Sequence, residues 1–305
     1  MKNTYAIIGG DLRLVYLANL LAKDENEVYS FGIEQQKQEF KQEYNKEKVN
    51  SCNNLEEAIS NSNIVISSVP LSKNGINVYA PYNLDSSFIN LYYLAKSLSN
   101  KIFFAGQIPD MFYELSENKN TKIYDLMKQE DLTILNTIAT AEGAISDIIL
   151  NTKCNLHKSK ILILGFGRVA KTLAVKLKGL DAYITCAARK DKDFAWINTL
   201  GFESININNI SIIKEDSIEK EKLKKFDIII NTVPQIILDE NNLKYVKENC
   251  FLLDLASKPG GIDGKACEKY NLNYKLSLAI PGKVSPLTSA EFIKETIYNI
   301  LKYTT

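Results

Sequence analysis

The sequence predicts an α/β protein of two domains, each built on a parallel β-sheet. With 305 residues, the chain is long for a single core and comfortable for two domains. Short apolar runs alternate with helical stretches throughout, which is the pattern of βαβ units. A glycine-rich turn at residues 165–170 follows one of these apolar runs directly and precedes an amphipathic stretch, as expected of a ligand-binding βα turn.

The first half of the chain begins with a predicted strand, a turn at Gly9-Gly10-Asp11 and an apolar-periodic helix over residues 13–21. Residues 34–48 are rich in Lys, Glu and Gln and are predicted to form a solvated loop or helix. The predicted strands of this half are residues 5–8, 28–31, 64–67 and 102–105.

An apolar helical stretch at residues 138–150 is interpreted as the connection to the second half. Helices are predicted there over residues 168–177 and 286–301, the second with Ser285 as N-cap and Pro286 in its first turn. The predicted strands of this half are residues 160–164, 183–187, 227–231 and 251–254. The expected division is a first domain over 1–137, a connecting helix over 138–152, a second domain over 153–285 and a terminal helix over 286–305.

Composition excludes several classes of protein. Lys plus Arg (37) nearly equals Asp plus Glu (36), so no global field attracts nucleic acid or a membrane surface. No apolar run approaches a signal-peptide core or a membrane span. The five cysteines are scattered, which fits reduced thiols in the cytoplasm, and the single histidine excludes a multi-histidine metal site. We therefore expect a cytoplasmic protein without a metal.

The strongest motif is Gly165-Phe166-Gly167-Arg168-Val169-Ala170, the G-x-G-x-x-A fingerprint of Rossmann domains. Gly165 permits the tight turn, Gly167 lets a pyrophosphate approach the backbone, and Ala170 lets the helix pack close to the strand. Phe166, Arg168 and Val169 complete the predicted nucleotide-binding turn. The alternative is an ordinary βα turn with incidental glycines.

The end of the next strand discriminates between NAD and NADP. An NAD-binding domain usually has an acid there for the ribose 2′-hydroxyl, but this position is Ala188, followed by Arg189 and Lys190. A guanidinium can bind a 2′-phosphate that a carboxylate would repel, so we predict NADP rather than NAD. The alternative is that Arg189 and Lys190 are simply exposed residues of a surface turn.

Two further segments follow strands of the second half and are predicted to line the nicotinamide end of the nucleotide site. The first contributes Thr232, Val233 and Pro234. The second, residues 253–261, contributes Ala256, although Gly260-Gly261 could equally be a simple turn.

Two other polar residues, Arg13 and His157, have simple interpretations as surface residues. The turn before Arg13 lacks the fingerprint spacing, so we predict a phosphate-free turn whose arginine faces the interdomain cleft, or else a surface arginine at a helix start. His157 precedes the glycine-turn strand, away from any strand's carboxyl end, and is predicted to be a surface residue.

The longer motifs resemble the family of dipicolinate synthase A subunits. The likeness spans nearly the whole chain in the right order. Its segments at residues 140–145 and 281–286 are far more specific than the glycine fingerprint. Besides that fingerprint, the segments are Gly9-Gly10-Asp11-x-Arg13, Thr140-Ala141-Glu142-Gly143-Ala144-Ile145, Asp254-Leu255-Ala256-Ser257 with Pro259-Gly260-Gly261, and Pro281-Gly282-Lys283-Val284-Ser285-Pro286-x-Thr288.

The resemblance implies a flavodoxin-like N-terminal domain and a C-terminal Rossmann NAD(P)-binding domain, similar to the 2-hydroxyacid and alanine dehydrogenases. The terminal helix is free to return to the first domain. The implied reaction oxidises dihydrodipicolinate, formed from 4-hydroxy-tetrahydrodipicolinate, to pyridine-2,6-dicarboxylate in the mother cell of a sporulating bacterium. The implied partner is the B subunit, which is flavoprotein-like, and homo-oligomerisation stays open.

Because that substrate carries two carboxylates, cations and strong donors are expected around it. By position in the motifs, the expected substrate ligands are Arg13, Ser257, Lys283, Ser285 and Thr288, and the expected catalytic residues are Glu142, Lys258 and Lys283. Each of them could instead be a surface residue, and Ser285 could simply cap a helix.

Two alternative functions remain at this point. One is an amino-acid or hydroxyacid dehydrogenase of the same fold, although no histidine follows His157 to act as the proton carrier that hydroxyacid dehydrogenases need. The other is a non-catalytic, nucleotide-sensing regulator, since a fold does not determine its function.

Overall fold

The computed structural model describes residues 3–33, 48–83, 89–116, 120–211 and 223–303. The chain divides into two compact units, the first formed by Met1–Asn136 with Ser285–Thr305 and the second by Thr137–Val284. They are called the first and second domain below. Most of the polar segment predicted as a loop or helix, residues 34–47, lies outside the described residues.

The first domain contains a parallel sheet with the strand order β3-β2-β1-β4-β5-β6. Its strands are β1 Thr4–Ile8, β2 Glu27–Phe31, β3 Asn50–Ser51, β4 Ile64–Ser67, β5 Ile102–Ala105 and β6 Lys122–Asp125. Without the two-residue β3 at the edge, the remaining order is the one found in flavodoxin-like sheets, as predicted. The four strands predicted for this half are all present, whereas β3 and β6 were not predicted.

Short helices surround this sheet: α1 Leu12–Lys23, α2 Leu55–Ser60, α3 Leu91–Ser97 and α4 Asp110–Ser116. A single 3₁₀ turn, Leu126–Lys128, follows β6. Helix α1 buries Leu14, Val15 and Leu17 against the sheet, which explains its apolar periodicity.

Helix α5, Glu130–Asn151, crosses the boundary between the two units. The predicted connecting helix therefore starts too late, because the acidic residues Glu130 and Asp131 suit a first helical turn. By length and mean hydropathy (1.2), α5 is the one described helix that could cross a membrane, although no such run was expected. A single helix of this kind is weak evidence for a membrane span, because buried core helices meet the same criteria. Ala144 and Ile148 of α5 are indeed buried in the second domain's core.

The second domain contains a parallel sheet with the strand order β12-β11-β10-β7-β8-β9, which is the Rossmann order. Its strands are β7 Lys160–Leu164, β8 Tyr183–Ala188, β9 Glu203–Asn206, β10 Ile228–Asn231, β11 Phe251–Asp254 and β12 Asn273–Leu276. The four predicted strands form the centre, and the two edge strands, β9 and β12, were not predicted.

The helices of the second domain are α6 Arg168–Lys178, α7 Asp191–Thr199, α8 Ile207–Ser211, α9 Glu240–Leu243, α10 Gly264–Lys269 and α11 Ile280–Val284. The last of these, a five-residue helix that contains Lys283, was not predicted.

The terminal helix, α12 Pro286–Lys302, packs on α1 and belongs to the first domain. It buries Ala290, Ile293 and Ile297 in the same core as α1. The end of α1 is tied to it by Asp24, which accepts hydrogen bonds from Lys294 Nζ (2.8 Å) and Tyr298 Oη (2.9 Å). The resemblance left this helix free to return to the first domain, and it does so.

Candidate functional site

The turn after β7 requires a glycine at its first position. Gly165 has a φ of +96°, and a Cβ on it would lie 2.7 Å from Thr232 Oγ1 and 2.8 Å from Val233 Cγ2. Its N–H donates to the carbonyl of Ala187 on β8 (2.9 Å). The turn is thus locked between β8 and the segment that follows β10, and no larger residue fits.

Gly167 has the opposite environment. It is the N-cap of α6, it is exposed, and a Cβ built on it would meet nothing within 4 Å. Gly167 has no side chain to cap the helix, and the space beside its Cα is open. Ala170, one turn later, is fully buried against the core, and Phe166 is also buried. The open N-terminus and the buried alanine suit a bound pyrophosphate.

The end of β8 carries no acid. Ala188 is buried, and the first acid is Asp191, in the first turn of α7. Arg189 and Lys190 are exposed, and within the described part of the chain no hydrogen bond or ion pair engages the Arg189 guanidinium. This edge therefore offers cations to whatever lies beyond the strand.

On the other side of β7, the segment after β10 is held close to the glycine turn. The Thr232 hydroxyl donates to the carbonyl of Leu164 (2.8 Å), and the Thr232 N–H donates to the same oxygen (3.0 Å). Val233 is half-buried and Pro234 is exposed. All three predicted residues thus lie at the carboxyl edge of the sheet beside the turn.

Asn231 and Asp254 organise this edge; they lie in the segments predicted to line the site, but neither was assigned a role from sequence. They are the last residues of β10 and β11, they pair in register, and both are fully buried. Asn231 Nδ2 donates to Asp254 Oδ1 at 2.7 Å. The available signal was a polar residue ending each of two otherwise apolar strands.

The segment after β11 folds around the Asp254 carboxylate. A Cβ on Gly260, which has a φ of +84°, would lie 2.9 Å from Asp254 Oδ2, and one on Gly261 would overlap the Asn231 side chain. Close packing, and not only a turn, therefore explains both glycines. Ala256 is buried within this loop, whereas Ser257 and Lys258 are exposed at its tip.

Glu142 has a structural partner. Its Oε1 accepts a hydrogen bond from Lys176 Nζ (2.9 Å), in a partly exposed ion pair between α5 and α6. Lys176 lies eight residues beyond Arg168, or about 12 Å along the helix from the glycine turn. The structure therefore places Glu142 toward the far end of α6, and it is not part of the site proposed below.

Gly143, the next residue, explains why the motif at residues 140–145 contains a glycine. A Cβ there would overlap Ile280 Cγ2 and lie 3.0 Å from Val284 Cγ2. The motifs at 140–145 and 281–286 therefore meet, because α11 packs directly on the glycine of α5.

Lys283 lies on α11, is exposed, and donates to the carbonyl of Leu278 (2.9 Å). It also contributes to the electrostatics of Asp147 on α5. Burial would raise the pKa of Asp147, but hydrogen bonds from Lys275 and Ser277 and the charges of Lys275 and Lys283 outweigh it and lower that pKa. The Ser277 N–H donates to the Asp254 carbonyl, so this cluster adjoins the carboxyl edge of the sheet.

Ser285 and Thr288 begin α12. Ser285 occupies the N-cap position without a capping hydrogen bond from its side chain, and Thr288 is exposed in the first turn. Both belong to the first domain by its packing, whereas Lys283 belongs to the second.

Arg13 is buried and paired, so it is not the surface arginine of the alternative expectation. Its guanidinium makes two hydrogen bonds to Asp11, from Nε (2.9 Å) and Nη2 (2.8 Å), and Nη2 also donates to the carbonyl of Val69. The charge is thereby neutralised inside the first domain. The turn before it is covered by the chain itself, since the Gly10 N–H donates to the Tyr79 carbonyl (2.8 Å). This geometry agrees with a phosphate-free turn.

The remaining polar candidates lie elsewhere. His157 is exposed, with Nδ1 3.4 Å from Asp181 Oδ2, as expected of a surface residue. Burial raises the pKa of the Cys186 and Cys250 thiols to about 12, which makes them poor nucleophiles. Among the described residues, no group of three or more His, Cys, Asp or Glu side chains could hold a metal ion.

Two doubly wound domains, the second with an open glycine turn at the start of a helix, define a Rossmann-type, dehydrogenase-like fold. The predicted likeness to alanine dehydrogenase is confirmed for the fold: an L-alanine dehydrogenase structure superposes with a TM-score of 0.63 at 13% identity, covering 98% of this chain and 88% of that one. At this identity the likeness concerns the fold alone.

The particular relative is the A subunit of dipicolinate synthase. Residues 4–127 match the family model described as the N-terminal domain of the dipicolinate synthase A subunit. The curated Bacillus subtilis (strain 168) dipicolinate synthase A subunit is 26% identical over 296 residues, covering 97% of this chain and 95% of that protein. The crystal structure of dipicolinate synthase, A chain, from Bacillus subtilis superposes with a TM-score of 0.82 at 26% identity, covering 99% and 97% of the two chains. The chain is thus related to the dipicolinate synthase A subunit over nearly its whole length, which confirms the resemblance.

Proposed function

We propose that this chain is a cytoplasmic, NADP-dependent oxidoreductase that converts dihydrodipicolinate into pyridine-2,6-dicarboxylate during sporulation. The observation that carries the proposal is the likeness to the A subunit of dipicolinate synthase over 97% of the chain, combined with the open turn at Gly167. Because these relatives are named as one subunit of their enzyme, they support a heteromeric complex, in which the partner is the flavoprotein-like B subunit.

The carboxyl edge of the second sheet fits a nicotinamide dinucleotide. The N–H groups at the start of α6 would hold the pyrophosphate, since nothing occupies the space above Gly167. Thr232, Val233 and Ala256 lie on the far side of β7 from β8, where the nicotinamide end belongs in this strand order. When bound, the nucleotide supplies the hydride acceptor.

Arg189 and Lys190 support a preference for NADP over NAD. They stand at the end of β8, where a ribose-binding acid would otherwise stand, and both are exposed. A 2′-phosphate placed there would gain charge-assisted hydrogen bonds, whereas Ala188 offers nothing to a free 2′-hydroxyl.

The substrate's two carboxylates require separated cations or strong donors. Lys258 and Lys283 are the proposed pair, with Ser257 as a neutral donor beside the first. The loop that carries Lys258 follows β11, and Lys283 binds the carbonyl of Leu278 just after the neighbouring strand β12. Both lysines thus lie on the nicotinamide side of the sheet and not on the side of Arg189. Lys283→Ala is expected to raise the Michaelis constant for the substrate without changing NADPH affinity.

The proposed oxidation makes modest demands on acid–base groups. One ring carbon gives up a hydride and the ring loses one proton, and the gain of aromaticity drives the reaction forward. Water or a weak base suffices for that proton, which is compatible with an exposed His157 and with Glu142 paired to Lys176.

The experiment that tests the proposal follows dipicolinate formation by absorbance, starting from 4-hydroxy-tetrahydrodipicolinate. Four arms are compared: NADP or NAD, each with and without the B subunit. We expect product with NADP and much less with NAD. A chain that binds NADPH but forms no dipicolinate even with its partner would favour a nucleotide-sensing regulator instead. Turnover of amino or hydroxy acids would indicate the other dehydrogenase chemistry.

A further inference from the structure

The two segments on the nicotinamide side of the glycine turn share one buried anchor. Residues 232–234 follow β10, and residues 255–262 follow β11. Connecting segments of this kind usually run over the protein surface and are more mobile than the elements they join. Here both are hydrogen-bonded to a pair of fully buried side chains, Asn231 and Asp254, that end the two strands.

Asp254 closes the longer segment. Its Oδ2 accepts the backbone N–H groups of Gly261 (2.8 Å) and Ile262 (3.1 Å), and its Oδ1 accepts that of Ala256 (3.0 Å). Three amides from both ends of one loop therefore converge on a single carboxylate. Losing an acceptor oxygen would leave buried donors unpaired, which is costly.

Asn231 couples this loop to the shorter one. Its Oδ1 accepts the Val233 N–H (3.1 Å), and its Nδ2 donates both to the Val233 carbonyl (2.9 Å) and to Asp254 Oδ1 (2.7 Å). One amide group thus fixes the segment after β10 and also orients the carboxylate that fixes the segment after β11.

No side chain can enter between the loop and this pair. A Cβ on Gly261 would overlap the Asn231 amide, and one on Gly260 would press on Asp254. The loop backbone therefore rests directly on the two side chains, and its position depends on their geometry.

We infer that Asn231 and Asp254 are positioning residues that hold the nicotinamide-side loops in the arrangement that the dinucleotide requires. The inference rests on the proposed function, because it assumes that this edge of the sheet binds the nucleotide. Neither side chain is exposed to contact the ligand, so both act through Val233, Ala256 and the backbone between them. The adenosine side, at Arg189, lies across β7 and is independent of the pair.

The test compares two ligands on the full chain by calorimetry: NADPH, and 2′,5′-ADP, which lacks the nicotinamide half. Asp254→Asn puts an NH₂ group where an acceptor is needed. We expect NADPH affinity to fall about tenfold, as for one charged hydrogen bond, while 2′,5′-ADP affinity stays unchanged. Amide hydrogen exchange at Gly261 and Ile262 should also become faster without any ligand.

The matched control is Asp227→Asn, the same chemical change at the amino edge of the same sheet, where Asp227 accepts the Lys160 N–H (2.7 Å). It should bind both ligands as the wild type does. If D254N does not fold, Asn231→Ser removes the bridging amide, keeps the carboxylate and should show the same selective loss.

Three outcomes would overturn the inference. D254N could bind NADPH like the wild type, or it could lose both ligands equally, which would indicate a general loss of structure. A wild-type chain that binds neither ligand would overturn the proposed function itself, and the positioning role with it.

Discussion

Two glycines in one turn have opposite roles at the scale of single residues. Gly165 is confined by a positive φ and by Thr232 and Val233, whereas Gly167 faces open space. The first is therefore needed for the fold of the turn, and the second is free to serve a ligand. Sequence spacing predicted both roles, because each follows from the absence of a Cβ.

This contrast predicts separable effects of substitution. Gly165→Ala should destabilise the protein by about 1–3 kcal/mol, from strain and the clash with Thr232. Gly167→Val should leave the free energy of unfolding within about 1 kcal/mol of wild type but abolish NADPH binding. Denaturant unfolding and calorimetry on both variants measure the two quantities. Unchanged NADPH affinity in a folded G167V chain would mean that the nucleotide site lies elsewhere.

Arg189 carries the prediction about nucleotide choice. Arg189→Ala should weaken NADP binding by about 1.5–3 kcal/mol, the value of a lost charged hydrogen bond, and should leave NAD binding nearly unchanged. Lys192→Ala, which removes an exposed cation nearby on α7, is the control and should change neither. Equal losses for NADP and NAD would show that Arg189 does not contact the 2′-phosphate.

Charged and buried polar residues were harder to place from sequence than glycines. Arg13 was expected at the substrate, and the sequence did not show that its guanidinium pairs with Asp11, two residues earlier. Asn231 and Asp254 were not singled out, because their importance comes from hydrogen bonds between neighbouring strands. A sequence motif can contain such residues, but only tertiary contacts determine which groups their side chains bind.

At the scale of elements, the central strands of both sheets were predictable and the edge strands were not. Central parallel strands such as β7 and β10 are buried on both faces and read as continuous apolar runs. Edge strands such as β9 and β12 are only half-buried at their middle residues and exposed at both ends, so their sequences lack that signal. Short helices such as α11 span too few residues to show a helical period.

The contact between α5 and α11 yields a prediction at this scale. Gly143→Ala should destabilise the protein by about 1–3 kcal/mol, because the added methyl overlaps Ile280 in a packed interface. Ser146→Ala, on an exposed position of the same helix, should change the free energy of unfolding by less than about 0.5 kcal/mol. Equal stability of G143A and S146A would show that α11 does not pack closely on α5.

At the scale of the whole molecule, the chain returns to its first domain only after completing the second. Helix α12 supplies Ile293 and Ile297 to the core that it shares with α1. The expected domain division placed this helix separately, since sequence periodicity shows that a helix is amphipathic but not which surface it covers.

The link between these distant segments should be sensitive to acid. The hydrogen bond from Lys294 is the largest influence on Asp24 and, with Tyr298 and nearby lysines, lowers its pKa below the ordinary 3.8 despite partial burial. A carboxyl group with a lowered pKa stabilises the fold at higher pH, and this contribution is lost as the pH falls through the lowered pKa. Asp24→Asn should therefore be less stable than wild type near neutrality, and the difference should shrink toward about pH 3. Urea unfolding at both pH values measures it, and a pH-independent difference would contradict the ion pair's role.

The proposed function requires this chain to couple dipicolinate formation to reduction of a nicotinamide nucleotide held at the glycine turn. The most direct measurement records dipicolinate and NADPH absorbance together in one reaction, with the partner subunit present. We expect the wild-type chain to form the two products in equimolar amounts and the Gly167→Val chain to form neither. Dipicolinate formed by the wild type without equivalent NADPH, or formed equally well by the Gly167→Val chain, would contradict it.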